Sequence, residues 1–280
     1  MAINLAEKAS AKVVERFTRK SVTEGLATAK YSWTGVDTVK VYTTDLLTLN
    51  DYDRTETSGP RFGTLEEVGD TVQTMKVEDD KSFNGSIDKG NNTSQLQVKA
   101  ASRILRENTD NVIIPYVDKY RLDKWATAAG IKEYSASITK STAMDVIMTS
   151  GAGMSNYNVP HSGRVMYIGE TEAIKIKLAD QVVGVDKLAE RSIVNGTIGA
   201  IDGMQVRIVP DNYMPTNVLY MIVTKGTVVA PKKIETYRIL EEHPDIDGHV
   251  VQCRFLHDAF VLTTLNKGVL AAYSTAAPSV

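Results

Sequence analysis

Cysteine is almost absent from the chain: Cys253 is the only one in 280 residues, so no intrachain disulfide can form. The apolar runs are shorter than the roughly 20 residues of a membrane-spanning helix, and the N-terminus lacks the hydrophobic core of a signal peptide. The formal net charge is only -2, which argues against nucleic-acid binding through an excess of positive charge. These absences predict a protein made in a reducing cytoplasm, without a membrane partner.

The residues that carry most enzyme chemistry are few and poorly placed. Cys253 alternates with Val251 and Phe255 on a predicted strand, so we expect it in the core as a small apolar side chain and not as a nucleophile. Residues 151–153 contain two glycines and are similar to part of a phosphate-binding loop. Because they follow a predicted helix and not a strand, we interpret them as a helix stop.

Four possible metal ligands alternate along a short stretch near the end of the chain: His243, Asp245, Asp247 and His249. Alternation on a strand would place them on one side. Pro244 and Gly248, however, favour a hairpin turn, in which aspartate is common because its carboxylate bonds to the backbone. We therefore predict no metal site, no cofactor and no catalytic residues.

The sequence does contain a long helical stripe. The composition of the whole chain, 42% hydrophobic and 24% charged, is that of an ordinary globular protein. Residues 93–129 contain no glycine, and apolar side chains recur there at helical spacing: Ala101, Leu105, Val112, Tyr116 and Tyr120. We expect Thr93 or Ser94 to cap this helix after a turn at 88–92. Pro115 predicts either a kink or two abutting helices.

Two segments before this helix carry opposite charge. Residues 1–40 begin with a predicted amphipathic helix and hold seven Lys or Arg and four Asp or Glu, a local charge of +3. Strand-like alternation at 38–42, 72–77 and 82–87 surrounds a polar loop, and residues 51–81 hold nine acidic and four basic residues, a local charge of -5. This extension has little apolar surface to build a core, so we expect it to lie along another surface, such as a neighbouring copy.

Strands and helices alternate after the long helix, as in an α+β protein. Helices are predicted at 139–148 and 170–178, and strands at 164–168, 206–209, 218–223, 234–240, 249–256, 260–265 and 268–273. We expect residues 139–224 to form a compact inserted unit. The tail after residue 225 is expected to return and pack against the long helix.

This order of parts resembles the major capsid proteins of tailed bacteriophages, over essentially the whole chain. The stretches that look similar to capsid proteins from phages and prophages of Gram-positive bacteria are residues 34–42, 50–52, 83–91, 112–121, 163–168 and 201–206. The resemblance implies the α+β tailed-phage capsid fold, divided into an N-terminal arm (1–40), an extended β-loop (41–90), a peripheral domain (91–138 and 225–280) with a long spine helix, and an axial domain (139–224).

The resemblance also implies the function and the contacts. The chain would self-assemble into hexamers and pentamers of an icosahedral virion shell, formed in the host cytoplasm around double-stranded DNA that it contacts without sequence preference. We expect intersubunit contacts from the arm and the loop, through Lys12, Arg16, Arg19, Arg54, Glu56, Arg61, Phe62, Glu66 and Glu67.

The resemblance also implies further partners, and two alternative functions stay open. Many relatives begin with a longer scaffolding segment, and the start at Met1 favours a separate scaffolding protein, alongside a portal. An encapsulin-type bacterial compartment would share the fold but enclose cargo enzymes. A soluble α/β enzyme is the alternative from another functional class.

Overall fold

The computed structural model describes residues 21–28, 31–34, 37–55, 57, 59–94, 100–134, 136–179, 199–241 and 244–275. The helix predicted near the start of the arm lies outside these residues. The chain divides into two compact units, of which the smaller spans residues 30–77 and the larger holds the remainder.

The smaller unit is a three-stranded antiparallel sheet that carries a long loop. Its strands are β1 (Ser32–Thr34), β2 (Thr38–Thr44) and β3 (Asp70–Lys76), in the order β1-β2-β3. Strands β2 and β3 pair over their full length, from Thr38 opposite Lys76 to Thr44 opposite Asp70. The alternation at 38–42 and 72–77 therefore predicted the strands of this unit, and the loop between them leaves from the open end of the pair.

The first sheet of the larger unit joins residues that are distant in sequence. Strand β4 (Asp79–Asp88) pairs antiparallel with β12 (Gly248–His257), which also pairs with β11 (Lys232–Leu240). One face packs on the long helix, where Cys253 is buried with Ile113 and Val117. The alternation of β12 thus predicted correctly that Cys253 faces a core.

The second sheet of the larger unit has six strands in the order β5-β14-β9-β6-β8-β7. These strands are β5 (Ile131–Glu133), β6 (Arg164–Gly169), β7 (Ala200–Ile201), β8 (Met204–Val209), β9 (Val218–Thr224) and β14 (Val269–Tyr273). Two short strands, β10 (Val228–Val229) and β13 (Phe260–Val261), form a separate antiparallel pair. Apolar clusters cover both faces of the six-stranded sheet, so its central strands are almost continuously hydrophobic.

The long helix consists of several pieces. Helix α1 (Lys89–Ser94) is followed, after residues 95–99, by α2 (Ala101–Asn108), a π-turn (Thr109–Ile113) and α3 (Ile114–Thr127). The amide of Ile114 donates to the carbonyl of Thr109, five residues back, so the hydrogen-bond ladder changes register just before Pro115. Pro115 then lies in the first turn of α3, where a missing N–H is tolerated. The predicted interruption of the long helix is therefore present, and it is a π-turn that ends just before Pro115.

Three local predictions are wrong. Residues 89–92 are not a turn, because α1 begins at Lys89 and Asp88 caps it through a 2.8 Å bond from the Asn91 amide to Oδ1. Residues 151–153 do not stop a helix but lie inside α4 (Ala143–Asn156). The strand predicted at 260–265 ends at Val261, and residues 263–268 form a 3₁₀ helix.

Two strands widen the sheet beyond the predicted inserted unit of residues 139–224. Strand β14 lies between β5 and β9, so the edge of the sheet comes from residues on either side of that range. The remaining helix, α5 (Glu170–Lys177), follows β6 directly, as its pattern predicted. The division into arm, loop, peripheral domain and axial domain stays a prediction.

Candidate intersubunit surface

The loop of the smaller unit, residues 45–69, is closed at its base by hydrogen bonds. The Asp45 amide donates to the Gly69 carbonyl at 2.9 Å, and the Thr71 hydroxyl donates to Oδ1 of Asp45 at 2.8 Å. These bonds continue the pairing of β2 and β3 by one step. The loop therefore leaves the sheet from a fixed base.

Turns hold the tip of the loop in a defined shape. The Asp53 amide donates to the Arg61 carbonyl at 3.1 Å, which brings the two sides of the tip together. Oδ1 of Asp53 accepts the amide and the hydroxyl of Thr55, each at 2.7 Å, in the local pattern that favours aspartate in turns. Gly63 has φ +84°, a conformation that suits glycine, and its amide donates to the Pro60 carbonyl at 3.1 Å.

Apolar side chains on this loop are almost wholly exposed to solvent. Leu46, Leu49 and Leu65 are each 98% exposed, and Phe62 is 81% exposed. The ring of Phe62 meets that of Tyr52 edge to face, with a centroid distance of 4.9 Å, so this aromatic pair is already ordered within the loop. Several large exposed apolar side chains close in sequence are characteristic of a surface that another molecule covers.

The charged residues predicted to make contacts are exposed on the same loop: Arg54, Arg61, Glu66 and Glu67. Arg61 and Phe62 are brought to the tip beside Asp53 and Tyr52. The other predicted contacts, Lys12, Arg16, Arg19 and Glu56, lie outside the described residues. Which of these residues contact a second subunit stays a prediction.

Sequence reasoning described the loop as polar and missed its leucines. Leu46, Leu47, Leu49, Leu65 and Val68 are all exposed, although they belong to the residue types that usually fill cores. The signal was available in the sequence, because residues 45–49 and 65–68 place these side chains between acidic residues without a helical or strand period.

The structure also shows where the residues considered for catalysis or metal binding lie. Cys253 is buried between the sheet and the long helix. His257 and Asp258 are both buried, and Asp258 accepts a 2.9 Å hydrogen bond from the Tyr120 hydroxyl. Within the described ranges, no three His, Cys, Asp or Glu residues are grouped as metal ligands, and His243 lies outside those ranges. No helix in the described part of the chain combines the length and apolarity that crossing a bilayer requires.

Comparison of the whole structure with solved structures gives extensive matches. The chain is similar to the capsid structure of the cyanophage P-SCSP1u, with 15% identity and a TM-score of 0.75 over 98% of this chain and 93% of that one. It is also similar to the mature capsid of bacteriophage PhiM1, with 9% identity and a TM-score of 0.73 over 96% and 91% of the two chains. A virus-like particle from Pyrococcus furiosus matches with 9% identity and a TM-score of 0.58 over 90% and 92%.

No protein-family profile and no curated protein sequence matches the chain. The structural matches span nearly the full length of both chains, so they include the residues of both compact units. The chain therefore has the α+β fold of tailed-phage capsid proteins.

Proposed function

We propose that this chain is a major capsid protein, which assembles into hexamers and pentamers of an icosahedral shell around phage double-stranded DNA. The observation that carries the proposal is the whole-chain likeness to capsid structures. The exposed apolar loop supports it, because a protein that works as a monomer gains nothing from three fully exposed leucines. The role is structural and not catalytic, and the location is the virion, with assembly in the host cytoplasm.

The loop is the proposed contact between subunits. Burying a leucine stabilises an interface by about 1.5–3 kcal/mol, whereas an exposed ion pair contributes about 0–1 kcal/mol. The leucines and Phe62 therefore supply most of the binding energy. The charged residues set how two subunits align, and they are Arg54, Arg61, Glu66 and Glu67, with Lys12, Arg16, Arg19 and Glu56. Repeated around a closed shell, modest contacts of this size add up to a stable particle.

The further partners belong to the same proposal. A separate scaffolding protein and a portal would take part in assembly, and the inner surface would contact DNA through charge without reading its sequence. An encapsulin-type compartment is the second candidate, supported by the match to the virus-like particle from Pyrococcus furiosus.

Electron microscopy of the purified chain tests the proposal. We expect closed shells with the symmetry of hexamers and pentamers. A protein that stays monomeric over a wide range of salt, protein concentration and crowding agent contradicts it. Shells that form in a bacterial host without phage genes and copurify with a folded enzyme, instead of filling with DNA beside a portal, support the compartment.

A further inference from the structure

Residues 21–28, the first described segment of the chain, are bound by side chains of the larger unit. The carboxylate of Asp118 on α3 is fully buried. It accepts the Ser21 hydroxyl at 2.7 Å, the Val22 amide at 2.9 Å and the Thr23 hydroxyl at 2.6 Å. Among the described residues, the hydrogen bonds to this carboxylate all come from the segment that it holds.

Three further side chains bind the same segment, and they come from three different elements. On α3, Nη1 of Arg121 donates to the Thr23 hydroxyl at 3.0 Å. Arg207 on β8 and the Tyr167 hydroxyl on β6 both donate to the Val22 carbonyl, at 2.6 Å and 3.2 Å. Arg207 and Tyr167 lie opposite each other on paired strands, so their positions are fixed by the sheet. The segment is therefore held through its side chains and its backbone together.

The second half of the segment enters the core. Gly25 has φ +86°, a conformation that glycine adopts without strain, and it turns the chain inward. Leu26 is buried in the apolar cluster on one face of the six-stranded sheet. Its carbonyl accepts the Gly226 amide at 3.1 Å, and the Thr28 amide donates to the Val228 carbonyl at 2.8 Å. An apolar side chain in a pocket, with backbone bonds beside it, is how proteins recognise short peptides.

The groove that receives the segment is built from residues distant in sequence. Asp118 lies 95 positions after Thr23, and Arg207 lies 185 positions after Val22. The strands that line the groove are joined by their own pairing, since β6 pairs with both β8 and β9. The segment thus occupies the groove without being one of the strands that form it.

We propose that this groove is a peptide-binding site for the pattern Ser-x-Thr-x-Gly-Leu, and that its resident ligand is the chain's own segment, residues 21–28. The two hydroxyls bind Asp118, the glycine makes the turn, and the leucine fills the apolar pocket. A peptide with the same pattern competes for the groove, so the site lets an outside molecule detach this segment from the subunit. The site belongs to the single subunit and does not depend on the proposed assembly.

Fluorescence anisotropy with a labelled peptide of residues 21–28 tests the proposal on dissociated subunits of the whole 280-residue chain. In the unchanged chain the tethered segment has an effective concentration of about millimolar, so we expect little binding. Leu26→Ser in the chain weakens the resident segment and leaves the side chains of the groove in place. We expect this variant to bind the peptide at least about tenfold more tightly than the unchanged chain does.

Matched controls show whether binding follows the pattern and the groove. A second peptide that carries Thr23→Val and Leu26→Ser should bind the variant chain about tenfold more weakly than the natural peptide. Adding Arg207→Ala to the variant chain removes a donor to the Val22 carbonyl and should weaken binding of the natural peptide. Adding Arg106→Ala, which removes an exposed arginine on α2, should not.

Two results overturn the proposal. One is a folded Leu26→Ser chain that binds both peptides equally or binds neither, and the other is an unchanged chain that binds the natural peptide as tightly as the variant does. Thermal unfolding shows whether the variant is folded. If it is not, Ser21→Ala combined with Thr23→Val weakens the segment through its hydroxyls, keeps Leu26 in the core and takes its place, with the same outcomes.

Discussion

Arg164 is a buried cation whose role is to hold a helix end. Only 1% of the residue is exposed, and its guanidinium donates to four acceptors. Three are carbonyls, of Gly151 at 2.8 Å, Val159 at 2.6 Å and Pro160 at 2.9 Å, and the fourth is the Ser155 hydroxyl at 3.0 Å. A positive charge here also suits the C-terminal end of α4, where helix carbonyls accumulate negative charge.

Replacing Arg164 by methionine is expected to destabilise the subunit by about 1–3 kcal/mol, because the buried carbonyl of Gly151 loses a charged donor. Arg164→Lys keeps the charge with fewer donors and should cost less. Urea unfolding of dissociated subunits measures both. A methionine variant as stable as the unchanged chain would show that the guanidinium bonds contribute nothing net.

At the scale of elements, α4 contains two glycines in different surroundings. A methyl group on Gly153 would meet no atom within 4 Å, whereas one on Gly151 would lie 3.1 Å from Oδ2 of Asp202 and 3.7 Å from Cε of Met204. Gly153→Ala is therefore expected to stabilise the subunit by about 0.5–1 kcal/mol through helix propensity. Gly151→Ala should gain less, since Asp202 must move. Thermal unfolding of the two variants compares them directly, and equal gains would contradict the close packing.

The loop of the smaller unit gives the second prediction at this scale. The triple change of Leu46, Leu49 and Leu65 to serine removes exposed apolar surface only, so the unfolding free energy of the subunit should change by less than about 0.5 kcal/mol. Shell formation, followed by light scattering, should be lost because the apolar part of the interface is gone. Thr48→Ser, in the same exposed stretch, is the matched control and should assemble normally.

Elements with a clear period were predictable, and those set by tertiary contacts were not. Strands β6 and β9 follow from short apolar runs, and α5 from its helical spacing. Helix α4 continues through Gly151, whose carbonyl also accepts a bond from the distant Arg164, a tertiary contact that no local pattern shows. The π-turn is likewise invisible in the sequence, since it depends on a change of hydrogen-bond register and not on composition.

At the scale of the whole molecule, charge should adjust assembly without driving it. Residues 51–81 carry a net charge of -5, and reversing Arg54 and Arg61 to glutamate makes it more negative by four. We expect weaker assembly, with the deficit largest at low salt, where charges separated by about 10 Å or more still interact. Light scattering across a salt series measures this. An unchanged salt dependence would mean that these arginines do not set how the loop docks.

The loop between β2 and β3 was predictable from the sequence, but its exposed apolar side chains were not. The order of arm, loop and long helix gave the fold through a resemblance, and the structural matches confirm that fold. The same sequence reasoning chose charged residues as contacts and passed over Leu46, Leu49 and Leu65. Exposure is decided by whether the rest of the chain covers a side chain, and residue type alone does not report it.

The position of β14 has a consequence for biosynthesis. Strand β14 lies inside the six-stranded sheet, between β5 and β9, and all but its last residue is buried. The sheet cannot close until residues 269–273 have left the ribosome, so a nascent chain that has not reached this strand leaves one edge of β5 and one edge of β9 unpaired. Chains that terminate before residue 269 would lack this strand and leave those edges unpaired. Unpaired strand edges of this kind pair readily with other chains, so truncation before β14 is expected to favour aggregation.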